Sequence, residues 1–240
     1  MKTIVSAGLA GLYHPAPAGR LRRAYLAALI SLLASTAAAS AQAQSWTDGL
    51  YVEVFGGLHG LADGDLKQGG KTGKGSYSGG QIFGASVGKK LTQNWSVETE
   101  FFYRSNDIDS VSSGPLAGST EGDYASTNLM FNGVYTFTQE DGSGLWGKFT
   151  PFVGAGLGFL EEADIDTKVG GVERQYSDTW IPAVQLLAGV TYEVNATWSV
   201  FVETRYHYAG ELELKSSKDN TVLKANYDGF SGIVGVRYSF

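Results

Sequence analysis

Seven charged residues sit where an alternating chain would turn them away from its apolar neighbours: Glu53, Glu98, Glu100, Arg104, Glu203, Arg205 and Arg237. Glu98 with Glu100, and Glu203 with Arg205, recur at the two-residue period of a β-strand, whose side chains point alternately to opposite faces. Carboxylates and guanidiniums gathered on one face of a sheet form charge-assisted hydrogen bonds. Such groups are tolerated in an interior only when paired or solvated. Glu53 lies near the start of the alternating region and Arg237 near its end, so closure of the sheet predicts that they face each other. Glu98, Glu100, Arg104, Glu203 and Arg205 are expected to extend that pair into an ionic network.

Catalysis finds less support. Glu203 and His207 are four residues apart on one strand, about 13 Å along it, with no serine placed to complete a relay. His59, His207 and Glu203 lack metal-ligand spacing, and both histidines point to the charged face by alternation. Asp63, Asp65 and Lys67, like Asp107 and Asp109, suit solvated tips better than a calcium site. The chain has no Cys, which excludes disulfides, thiolate metal sites and anchoring through a lipidated cysteine. No catalytic residue, metal or cofactor is assigned.

The elements that position these charges are eight alternating segments: Leu50–Leu58, Gln81–Lys89, Trp95–Arg104, Tyr124–Phe137, Phe149–Phe159, Trp180–Tyr192, Trp198–Tyr208 and Asn226–Phe240. Stretches rich in Gly, Ser, Asp and Lys follow the odd-numbered segments (60–80, 105–123, 160–179, 209–225) and are expected to be four long loops. Shorter gaps follow the even-numbered ones (90–94, 138–148, 193–197).

One face of the segments carries Val54, Leu58, Val87, Val97, Phe131, Leu157, Leu186, Val202, Val234 and Val236 and no charge; Lys89 lies at its rim. The other face carries the seven charged residues with Asn128, Asn132 and Gln185. An apolar face opposite an ionic one fits a wall between lipid and a polar lumen. In hydrocarbon a sheet must close on itself so that every backbone group is paired. Aromatics mark both ends of the apolar face: Trp95, Phe137, Tyr192, Trp198 and Phe240 at one, Tyr103, Phe159, Trp180, Tyr206 and Phe230 at the other. Such girdles sit at the two membrane interfaces. A soluble sandwich or lipocalin-like barrel is the alternative, but it leaves the girdles and the loop asymmetry unexplained. The fold expected is an all-β, eight-stranded antiparallel up-and-down transmembrane β-barrel.

Residues 1–43 hold Lys2, Arg20, Arg22 and Arg23, then an apolar run from Ala24 to Leu33, then Ala-x-Ala sites ending at Ala41 and Ala43. This is the pattern of a cleaved signal peptide, which leaves 44–240 as the barrel domain. The segment holds four of the 18 basic residues and none of the 24 acidic ones, so its removal moves the net charge from −6 to about −10. That balance argues against nucleic acid, which requires clustered Lys and Arg.

Thr150-Pro151-Phe152-Val153-Gly154-Ala155-Gly156-Leu157-Gly158-Phe159 resembles the Gly-rich strand of small outer-membrane β-barrel proteins. Asn94-Trp95-Ser96-Val97-Glu98, its echo Thr197-Trp198-Ser199-Val200 and the ending Val236-Arg237-Tyr238-Ser239-Phe240 resemble that family too. Across nearly the whole mature part the chain looks like the eight-stranded group with the outer-membrane protein A membrane domain and the alphaproteobacterial surface antigens. The resemblance implies an integral protein of the Gram-negative outer membrane, in contact with its lipid and lipopolysaccharide, with both termini periplasmic. It further implies that the assembly machinery recognises the last strand, ending at Phe240. It implies a structural or surface-interaction role, with an unidentified extracellular partner at the loops, and allows the ionic network to be read as a gate. A narrow porin-like channel is the alternative function, and a lipid A-modifying enzyme the third.

Overall fold

The computed structural model describes residues 47–114, 116–119, 121–138, 146–219 and 221–240. The signal-peptide reading of 1–43 lies outside the described residues. Among the described residues ten strands follow one another: β1 (Leu50–Leu61), β2 (Gly64–Gln68), β3 (Lys71–Tyr77), β4 (Gly80–Lys90), β5 (Trp95–Val111), β6 (Gly122–Thr136), β7 (Phe149–Val169), β8 (Val172–Glu193), β9 (Trp198–Ser216) and β10 (Val222–Ser239). Every pairing is antiparallel, and β10 pairs with β1 to close the sheet. The ring runs β1-β4-β5-β6-β7-β8-β9-β10, so the expected eight-stranded up-and-down barrel is present. No helix among the described residues is long and apolar enough to cross a membrane; the strands are the crossing elements.

The alternation read from the sequence is the alternation of burial. Leu186 is 60% exposed while Leu187, beside it, is 4% exposed. Val202, Val234 and Leu157 are exposed on the outer wall, whereas Phe201, Ile233 and Gly158 face inward. Bulky inward rings are matched by glycines on adjacent strands. A Cβ at Gly88 would meet the Tyr51 ring, one at Gly235 the Phe201 ring, and one at Gly189 the Phe152 ring. The outer aromatics pair across strands at both rims, as with Trp198 and Tyr238 (5.0 Å between centroids) and Tyr206 and Phe230 (4.8 Å).

Three of the four expected long loops (60–80, 160–179, 209–225) are largely strand, which corrects that reading, and 105–123 is strand only at 105–111 and 122–123. β7 and β8 run to 21 and 22 residues, about twice the 9 to 11 that a bilayer requires. They meet at a two-residue turn, Gly170 and Gly171, with φ of 58° and 83°. Positive φ at both positions is the type I′ geometry that matches strand twist. Gly69 and Gly70, with φ of 57° and 77°, make the same kind of turn between β2 and β3. That hairpin pairs with β10 on one side and β5 on the other, replacing the ended β1 and β4 so that the wall continues upward. The interior of this extension is apolar: Leu66, Ile108, Ile165, Tyr176, Leu212, Leu214 and Leu223 are all buried.

Bulges concealed the extension from a simple period-two reading. β6 pairs Thr127 with Glu162 but Asn128 with Leu160, so Glu161 is extra and the inward parity of β7 flips. On β8 Trp180 is the matching extra residue, at φ 58°. An inserted residue of this kind reverses which side chains face the core. The β8–β9 ladder lapses between Ser177–Lys215 and Val184–Tyr208. Trp180 and Pro182, which has no N–H to donate, lie in that interval.

On the outside of the extension Asp123 stands opposite Asp166. Burial, reinforced by the Asp123 charge, pushes the Asp166 carboxyl above its ordinary value, against a hydrogen bond from Gln175 at 3.4 Å. A raised folded-state value means that ionisation opposes folding: the cost is absent below about pH 3 and grows as pH rises through about 4. Asp166→Asn is therefore expected to raise the urea midpoint at pH 7 and to leave it unchanged at pH 3; a lowered midpoint at pH 7 contradicts this.

Candidate functional site

The polar side chains of the barrel interior stack in three layers below the apolar extension. The lowest is built from β1, β4, β5 and β10. Glu53 is the direct register partner of Arg237. Arg237 Nε donates to Glu53 Oε1 at 2.7 Å, and its NH2 lies 3.6 Å from Glu98 Oε1. The Tyr51 hydroxyl donates to Glu98 Oε1 at 2.6 Å, Ser86 Oγ donates to Glu53 Oε2 at 2.7 Å, and the guanidinium lies 4.2 Å from the Tyr51 ring centroid.

The middle layer centres on Arg205 from β9. Its NH2 donates to Glu100 Oε1 at 2.8 Å, its NH1 to Glu100 Oε2 at 3.2 Å and its Nε to Glu203 Oε1 at 2.8 Å. Asn132 and Gln185 each donate to Glu100 Oε2 at 2.7 Å. Glu100 thus receives two parallel bonds from one guanidinium and two from amides, the geometry in which a buried pair repays its desolvation. Phe55 and Phe102 cover the Arg205 guanidinium at 5.3 and 5.4 Å. Gly156 makes room for the amides, since a Cβ there would overlap Asn132 Oδ1.

The upper layer departs from the expected network. Arg104, on β5, has no carboxylate within ion-pairing distance among the described residues. Its NH2 donates to Asn128 Oδ1 at 3.0 Å, and its guanidinium lies 5.1 Å from the Phe102 ring and 5.3 Å from the Tyr227 ring. The reason is height: the nearest inward-facing acid on its own strand is Glu100, four residues lower and taken by Arg205, while Asp107 faces outward. Asn128 is fixed in turn through Ser126 Oγ (2.8 Å), which bonds the Tyr227 hydroxyl at 2.5 Å.

The structure therefore gathers Glu53, Glu98 and Arg237 into one group, Glu100, Glu203 and Arg205 into a second, and leaves Arg104 apart. Tyr51, Ser86 and Tyr227 belong to these layers but were not among the expected site residues. Their parity on β1, β4 and β10 was the available signal: Tyr51 shares a face with Glu53, and Tyr227 with Arg237.

A closed antiparallel ring with a greasy skin, aromatic rims and an ionic interior defines an integral membrane β-barrel. The chain belongs to the outer membrane protein beta-barrel domain family, whose model matches residues 28–240, and the protein is one of the Gram-negative outer membrane. Among solved structures it is similar to the outer membrane protein OprG from Pseudomonas aeruginosa (16% identity, 80% of this chain and 96% of that one, TM-score 0.51). It is also similar to Neisserial surface protein A (19%, 80% and 97%, TM-score 0.46). A third is the outer membrane protease OmpT from Escherichia coli (10%, 81% and 97%, TM-score 0.44). The OprG likeness is one of fold. A comparison with curated protein sequences gave no match.

Proposed function

We propose that the protein is a structural and surface-interaction barrel that holds a stiff β-extension outside the cell, with both termini in the periplasm. The observation that carries this reading is the filled interior. Tyr51, Phe102, Arg104, Asn128, Met130 and His207 are at 0% exposure through the membrane-level layers, and apolar side chains fill the extension above them. An eight-stranded ring is just wide enough for side chains to fill it, and these do. The Arg237 and Arg205 clusters then act as cross-braces between strands.

The asymmetry of the ring supports the orientation. The strands overrun the membrane span at one end only; at the end where the described chain enters β1 and leaves β10, β4–β5 and β8–β9 are joined by four-residue turns at 91–94 and 194–197, as periplasmic turns join strands in bacterial barrels. The outer wall suits contact with lipid and, at the far rim, lipopolysaccharide. Strand β10, paired on both sides and followed by Phe240, suits recognition by the assembly machinery. The extension offers an extracellular partner paired strands rather than loose loops.

Because the chain has no Cys, single cysteines report location cleanly. Cysteine at Gly170 is expected to react with a membrane-impermeant maleimide on intact cells, and cysteine at Ala196 only after the outer membrane is opened. The reverse pattern contradicts the orientation and the role.

A further inference from the structure

Below the Arg237 layer the barrel interior ends in a polar cup. Six successive strands, β5 to β10, each bring one serine or threonine to its wall: Ser96, Thr136, Thr150, Thr191, Ser199 and Ser239. Thr150 and Thr191 are direct register partners, as are Ser199 and Arg237, and Ser239 and Tyr51. The cup encloses about 360 Å³ and has Arg237 at its inner end. Beyond it the next inward residues of β7 and β9, Phe152 and Phe201, are buried rings, so the cavity stops where the filled interior begins. Among the described residues none of the six hydroxyls has a hydrogen-bond partner, although Ser96, Thr191 and Ser199 are only 6%, 7% and 9% exposed.

The rim of the cup is held in place. Asn94 Nδ2 donates to the Thr136 carbonyl and to Thr138 Oγ1, both at 2.9 Å, which ties the β4–β5 turn to the end of β6. Asn195 Oδ1 accepts from the backbone N–H groups of Thr197 and Trp198 at 2.9 Å, which fixes the β8–β9 turn. A cavity framed in this way is preorganised, so little ordering is lost when a guest enters. Its charged side chains are Lys90, Glu193 and Arg237, and Arg237 is matched by Glu53 at 2.7 Å. No sign of charge predominates, and the wall is hydroxyl rather than hydrocarbon.

We propose that this cup binds one ring of a neutral sugar. A hydroxyl both donates and accepts, and a pyranose carries hydroxyls around its whole edge. Rotatable hydroxyls on six strands meet that edge from several sides at once. A peptide, with its donors and acceptors along two lines, would engage only part of the wall, and an ion would find no net charge to hold it. The volume lies in the range of small-molecule sites. The sugar is a free hexose or a unit of a glycan chain; the second source rests on the orientation proposed above, in which this mouth faces the periplasm.

The test is a ligand-observed NMR titration of the protein, purified from outer membranes into a polyoxyethylene detergent whose head group carries no sugar. The probes are maltose, for a free sugar, and N,N′-diacetylchitobiose, for a glycan unit. Saturable binding of either supports the site, and the tighter of the two identifies the source; no saturation by either below about 10 mM overturns it. Thr150→Val with Thr191→Val keeps two β-branched strand residues and removes two hydroxyls, so the affinity is expected to fall about tenfold. An unchanged affinity in this double variant places the sugar elsewhere and overturns the proposal. Crystals of the unaltered protein soaked in the tighter sugar do not depend on how the variant folds. Density for a ring beside Thr150 and Thr191 supports the site, and its absence there overturns it. Binding in detergent is read without reference to the side of the membrane, so its failure leaves the labelling at Gly170 and Ala196 as it stands.

Discussion

Arg205→Met is expected to destabilise the folded barrel by about 3 to 5 kcal/mol, the usual cost of removing one partner from a buried ion pair. Arg205 and Glu100 are each 2% exposed, and Glu203 is 6% exposed. Taking away the guanidinium leaves two carboxylates side by side with little water to replace it. The amides of Asn132 and Gln185 still reach Glu100 but carry no charge. Methionine is an unbranched side chain close in length to the arginine stem, so the loss reports charge more than volume. Adding Glu100→Gln and Glu203→Gln to Arg205→Met is expected to recover most of it, since a neutral, hydrogen-bonded interior no longer requires a cation. Urea unfolding in detergent, followed by the gel shift between folded and heated forms, measures both. An Arg205→Met protein as stable as the parent would remove the cross-brace from the account.

Val202→Arg is expected to cost about 2 to 4 kcal/mol, the range for a basic residue at mid-depth on the lipid face of a barrel. Val202 is 62% exposed and sits halfway between Trp198 and Tyr206, which mark the two rims of β9. Neither rim is within easy reach of an arginine there, unlike Lys89, which sits at the edge and reaches the interface. Val202→Leu is expected to change little in the same assay. Equal stability of the arginine and leucine variants would mean that this face does not meet acyl chains.

What the sequence disclosed, and what it hid, follows from which signals are local. Closure was legible because alternation put Glu53 and Arg237 on one face at matching heights, and no insertion disturbs β1 or the membrane-level part of β10. The outer wall was legible residue by residue for the same reason. The extension was not, because Glu161 and Trp180 are bulged and reverse the parity of β7 and β8. Charged residues beyond them then look like loop composition. Yet Gly69-Gly70 and Gly170-Gly171 lay inside two of those supposed loops, and a glycine pair between alternating segments is a hairpin signal in its own right. Arg104 was misjudged on height, not on facing: parity gives the side of the wall, while the pairing register decides which charges share a level. The apolar filling of the extension depends on that register too, since Leu66, Ile165, Leu214 and Leu223 come from four strands that meet only once the hairpins are aligned.

The central claim is that side chains occupy the barrel from the Arg237 level up through the extension. Single-channel recording of the purified protein in planar bilayers tests it most directly. The account predicts a quiet membrane, with no steady openings in molar potassium chloride at moderate voltage. Reproducible openings of one size would contradict it, because ions cannot pass Arg205, Arg104 and the apolar layer above them unless that packing gives way.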